Sequence, residues 1–141
     1  MKRYVYFQPN KFDLKDEGSD CMIRALAKSE NKDWDSTYEM LFMISRKYHY
    51  VFNDKRLFPS LFSELNYDKI SIPVVKGHKR KTVLEFSKEH EEGIYVLQVA
   101  HHLVTVVNGQ YFDTWDCGIK PIYCAYKKRM WGAYEEIKSR K

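Results

Sequence analysis

The apolar positions change period along the chain. Tyr4 to Phe7 is a short aromatic run that predicts a strand, and "QPNKFDLKDEGSD" is a polar loop. Beyond Ser19 and Asp20, either of which can cap a helix, Met22, Ile23, Leu26 and Ala27 recur at helical spacing until "ENK". Asp33 caps a second predicted helix running to about Tyr48, with Trp34, Tyr38, Leu41, Phe42 and Ser45 as its inward stripe. "FPSLFSEL" predicts a third, with Pro59 in its first turn and Phe58, Leu61, Phe62 and Leu65 inward. "KISIPVV" is a strand that Pro73 places at an edge or an ending. Thr82 and Glu85 form a capping box for a short fourth helix, stopped by Gly93.

From there the period shortens. "IYVLQVA" is β-branched and apolar, a strand covered on both faces. "HHLVTVV", "NG" and "QYFDTW" make a hairpin, and Ile122 to Lys141 reads as a strand running into a basic helix. Helices precede antiparallel strands, an α+β order with segregated elements.

Composition narrows the class. The 141 residues suit one domain over 1–141, and 44% hydrophobic with 16% aromatic residues excludes a disordered chain. The first residues lack a signal peptide, and no run approaches the roughly 20 apolar residues of a membrane span, so no membrane partner is expected. Three cysteines, an odd number, argue against a disulfide framework and for a reducing cytoplasm. The net charge is +5, most of it between Lys127 and Lys141, which holds six basic and two acidic residues. Such a tail suits either a nucleic-acid partner or a solvated terminal helix, and no nucleic-acid motif accompanies it.

The candidate chemistry centres on Cys21. A thiol in the first turn of a helix gains from the free N–H groups and the dipole, whereas Asp20 would repel its thiolate and must point away, as the cap itself. His49, His78 and His90 lie in charged segments expected to be exposed, leaving His101 and His102. With Asn108 and Gly109 as turn residues, Val107 pairs with Gln110, Val106 with Tyr111, Val104 with Asp113 and His102 with Trp115. His102, Val104, Val106, Tyr111, Asp113 and Trp115 then share one face, His101 and Asp116 the other. His102 and Asp113 are diagonal neighbours, so the carboxylate can orient the ring. Nucleophile, base and orienting group follow in chain order as Cys21, His102 and Asp113.

On "GSDCMIRA", "KDWDSTY", "HLVTVVNG" and "FDTWD", the chain over about Pro9 to Cys117 resembles the papain-like cysteine peptidases. It is most similar to their small phage and prokaryotic members, related in layout to bacteriocin-processing (C39-type) peptidases. The resemblance implies a helical N-terminal half packed on a C-terminal antiparallel sheet, with the site in the cleft between. It implies Cys21 as nucleophile, His102 as general base, Asp113 as orienting residue, and a protein or peptide substrate. The family's oxyanion-hole glutamine stands six residues before the cysteine; here that position is Lys15, and Gln8 and Asn10 are the candidates.

Simpler roles exist for each residue. Cys21 could be a core residue, His102 a structural histidine and Asp113 a turn residue. Gly18 is a hinge or a turn glycine, and with Ser19 and Trp115 it is a candidate for the substrate groove. Trp34, Trp115 and Trp131 otherwise read as core, and Arg24 as a surface or ion-pairing residue that could face the groove. No metal or cofactor is expected: Cys117 and Cys124 are too far apart for a common zinc pair, and no phosphate-binding loop is present. The alternative function is a papain-like scaffold that binds a host protein or small ligand without turnover.

Overall fold

Four α-helices and six β-strands organise the chain in a computed structural model that describes residues 1–130. In chain order they are β1 (Tyr4–Tyr6), α1 (Cys21–Ser29), α2 (Trp34–Tyr48), α3 (Phe58–Glu64), β2 (Tyr67–Ser71), α4 (Val83–Glu89), β3 (Ile94–Val99), β4 (His102–Val107), β5 (Gln110–Asp113) and β6 (Cys124–Lys128). The fold is α+β. Its six strands form one sheet in the order β1-β5-β4-β3-β6-β2.

The sheet is mixed, which corrects the purely antiparallel expectation. β1 lies parallel to β5, pairing Tyr4 with Tyr111 and Tyr6 with Asp113. Every other pairing is antiparallel. The helices are not segregated to one side either. Alternation along β3 puts Val96 with α1, α2 and α3, and Tyr95, Leu97 and Val99 with Val83 and Phe86 of α4. The sheet is thus covered on both faces, as the nearly continuous apolar run of β3 requires.

Local signals account for most boundaries. Asp33 caps α2 by accepting from the Ser36 N–H at 2.8 Å, and Thr82 with Glu85 closes the capping box of α4. Asn108 and Gly109 turn the β4–β5 hairpin with positive φ of 47° and 81°, as a tight primed turn demands. β2 starts at Tyr67 and ends two residues before Pro73, earlier than expected, on the sheet edge. Among the described residues no helix is long and apolar enough to cross a membrane. The end of the basic tail, with its expected helix and Trp131, lies outside the described residues.

α1 is the most deeply packed helix: Met22, Ile23, Ala25, Leu26 and Ala27 are all 3% exposed or less. Truncating Leu26 to Ala would cost about 2–5 kcal/mol. The Thr105 hydroxyl donates to the Ala25 carbonyl, tying α1 to β4. α2 is rotated from the expected phase. Thr37, Leu41 and Ile44 face inward, while Tyr38 and Phe42 are 40% and 49% exposed. Thr37 tolerates burial because its hydroxyl donates to the Asp33 carbonyl at 2.7 Å. Tyr38 instead stacks on Trp34 at the surface, ring centroids 5.5 Å apart.

Candidate active site

Cys21 opens α1 at the wall of a cleft of about 760 Å³. Asp16, Gly18, Ser19 and Arg24 line one side; Gln98, the Ala100–His101 turn and His102 line another; Thr114, Trp115 and Tyr123 form the rim.

The loop before Cys21 is fixed by Asp13, whose carboxylate accepts from the N–H groups of Glu17 at 2.9 Å and Gly18 at 2.8 Å. A side chain at Gly18 would meet that carboxylate at 2.7 Å, so this glycine permits a close approach rather than a hinge. Asp20 occupies the N-cap position but caps nothing with its side chain, which corrects the expected cap. Its carboxylate takes the Arg24 guanidinium and, at 2.7 Å, the indole N–H of Trp34. It is thereby held away from the thiol, and the start of the helix keeps its favourable field for an anion.

His102 begins β4 and Asp113 ends β5. The hairpin register has the expected Val107–Gln110 and Val106–Tyr111 pairs, and the ladder stops at Thr105–Phe112. The expected strand pairs Val104–Asp113 and His102–Trp115 therefore do not form, yet the side chains converge: His102 Nε2 contacts Asp113 Oδ2 directly. The carboxylate is 3% exposed. It also accepts from the Thr114 N–H at 2.7 Å and lies 3.4 Å from Arg24 Nη2.

The thiol is half-buried, with the His102 ring and the Leu103 backbone as its nearest hydrogen-bonding groups. Burial would raise its pKa, but these bonds and the charges of His102 and Arg24 outweigh burial and bring it below the ordinary thiol value. Burial would likewise lower the pKa of His102, whereas its bonds to Asp113, Cys117 and Cys21 push it up to about 11. Both shifts act in the same sense, favouring a thiolate beside an imidazolium.

Other expectations are revised. Trp115 is 41% exposed and stands at the cleft rim, 5.2 Å from the His102 ring, instead of in the core. Arg24 is buried, at 6% exposure, and bridges two carboxylates; the surface reading fails and the ion-pairing one stands. Gln8 and Asn10 do not line the cleft. The Gln8 amide donates to Asp16 and its oxygen accepts the Asn10 N–H, while Asn10 accepts the Phe12 N–H. Both stabilise the loop and leave the oxyanion role open. His101 lies in a two-residue turn with φ of 53°, outside the strand. Asp116, expected on the far face, accepts from Tyr111 after the chain bends. His90 is half-buried, stacked on Phe86 at 3.7 Å.

Sequence reasoning missed two neighbours. Cys117 is buried, 3.6 Å from Asp113 Oδ2 and in hydrogen-bond reach of His102. Continuing the alternation from Asp113 through Trp115 reaches it. Gln98 is the polar interruption in apolar β3. Its oxygen accepts from the Cys124 thiol at 3.2 Å, leaving the amide's donor half for the cleft it lines. No protein-family model, no curated protein and no solved structure matches this chain.

Proposed function

We propose that the chain is a papain-like cysteine hydrolase acting on peptide or isopeptide bonds, in a bacterial or phage-infected cell. The supporting observation is the Cys21–His102–Asp113 alignment at the wall of an open cleft. The Cys21 thiolate attacks the scissile carbonyl and the carbonyl π electrons move to oxygen. As the tetrahedral species collapses, the leaving amine takes the proton from His102 and departs. Neutral His102 then accepts a proton from water, whose oxygen attacks the thioester; the acid leaves and the thiolate returns. Asp113 orients the ring and balances its charge. The Cys21 backbone N–H and the Gln98 amide are the oxyanion donors this reading requires. Gly18, Ser19 and Trp115 flank the path of an extended peptide.

A reading as a scaffold that binds a host protein or small ligand also has a specific observation in its favour: neither Gln8 nor Asn10 reaches the cleft. Nucleic-acid binding through the tail has less support, because Lys128 pairs with Glu30 and Arg129 with Asp68.

A peptidyl vinyl sulfone separates the first two. Intact mass should show one adduct on Cys21 in wild type, lost in His102→Ala. Cys21→Ala should retain a protein from lysate that wild type releases cleaved. Retention of the same intact partner by both forms would favour the scaffold.

A further inference from the structure

Behind the imidazole sits a second thiol that the hydrolytic cycle does not use. Cys117 is fully buried, in a loop pinned to the start of α4 by the Val83 N–H to the Lys120 carbonyl at 3.0 Å and the Leu84 N–H to the Gly118 carbonyl at 2.9 Å. One donor atom each from His102, Asp113 and Cys117 lies within 4.8 Å of the others. We infer that these three side chains form a site for a thiophilic divalent cation, zinc above all, that switches the imidazole off.

The donor geometry supports this. Tetrahedral zinc, with bonds of about 2.0–2.3 Å, spaces its ligand atoms by roughly 3.3–3.8 Å. The Cys117 sulfur and Asp113 Oδ2 already stand 3.6 Å apart. The direct His102–Asp113 contact must open to admit the ion. One sulfur, one nitrogen and one oxygen suit zinc, cobalt(II) or cadmium and disfavour magnesium and calcium. The carboxylate is divided conveniently: Arg24 touches Oδ1, whereas His102 and Cys117 both face Oδ2. The guanidinium therefore need not be displaced.

Charge and protons balance. Cys117 loses its thiol proton and His102 the proton on Nε2, both to solvent. The thiolate and carboxylate neutralise the dication, and Asp20 remains paired with Arg24. The ring, bound through Nε2, can no longer gain and lose the proton that hydrolysis needs. This consequence rests on the hydrolase reading; the binding site does not.

Cobalt(II) is the probe, added to a full-length Cys21→Ala/Cys124→Ala variant in which Cys117 is the only thiol. One equivalent should bind with a thiolate-to-cobalt charge-transfer band in the near ultraviolet and the visible bands of a four-coordinate ion. Asp113→Asn on that background should weaken binding, and Cys117→Ser should abolish the charge-transfer band. Absence of the band from the folded double variant, or its persistence after Cys117→Ser, overturns the site. Circular dichroism confirms folding of each protein. None of these measurements depends on turnover, so failure of the metal site leaves the hydrolase proposal standing, and the reverse.

Discussion

Arg24 and Asp113 connect the helix that presents the thiol to the strand that holds the His102 ring. Arg24 is one turn beyond Cys21 on α1, and its Nη2 lies 3.4 Å from Asp113 Oδ1 while Nη1 is held by Asp20. Among the described residues its buried Nε has no hydrogen-bond partner, so charge fixes this side chain more than a completed set of bonds. Replacing it strips the shared cation from the half-buried Asp20 and the buried Asp113. Arg24→Met should cost about 3–5 kcal/mol of stability by chemical denaturation. Arg24→Lys should retain part of that stability while lowering the alkylation rate of Cys21. An unchanged rate in a folded Arg24→Lys protein would limit the arginine to a structural role.

The three thiols should separate by reactivity. Cys21 has its pKa lowered, while burial raises that of Cys117. At mildly acidic pH, iodoacetamide should modify Cys21 well ahead of Cys117 and Cys124, as peptide mapping would show. His102→Gln removes the hydrogen bond and charge that lower the thiol pKa, and the advantage should shrink by about tenfold or more. Equal slow labelling of all three would contradict the ion pair.

Gln98 is expected to act on chemistry more than on binding. Gln98→Ala should lower kcat by about 10²–10³ with little change in KM, the pattern of a lost oxyanion donor. Gln8→Ala and Asn10→Ala should leave kcat within a few fold, since both side chains are engaged inside the loop. Steady-state kinetics on one peptide substrate would compare all three.

The ion pair also has a stability signature. His102 titrates at about 11 in the fold against an ordinary value of 6.5. The stabilisation linked to its proton is complete below 6.5 and is lost as pH rises through 11. Cys21 has the opposite sign: its contribution is present above the ordinary thiol value and is lost as pH falls through the lowered one. The two slopes oppose each other between neutral pH and the ordinary thiol value, so the stability advantage of wild type over His102→Gln should stay nearly level there and shrink only as pH rises beyond that value toward 11 in urea titrations. A pH-independent difference would remove the assigned shift.

How far the sequence could lead depended on the range of the interactions. The Asn-Gly turn sets the β4–β5 register within a few residues, and that register brings His102 and Asp113 to one face before any tertiary contact is considered. The caps at Asp33 and Thr82 are equally local. The parallel pairing of β1 with β5 is not, because no short pattern specifies which distant strand closes an edge. The phase of α2 was misread because large aromatic side chains suggested an inward face, whereas the helix buries Thr37 and Ile44 and leaves Tyr38 to stack on Trp34. Asp20 followed cap preferences in position but not in bonding, since a buried arginine nearby outbids backbone N–H groups. Gln98 is visible as a polar break in β3, but only the folded sheet places that break at the cleft.

The salt bridge from Arg24 to Asp113 spans 89 positions. Cys21 therefore leaves the ribosome long before His102 and Leu103, the groups that lower its pKa most, have been made. Until the hairpin docks, its sulfur is an ordinary thiol, and nucleophilicity arrives only with completed tertiary structure. On the hydrolase reading, a nascent or misfolded chain is thus chemically quiet toward neighbouring proteins.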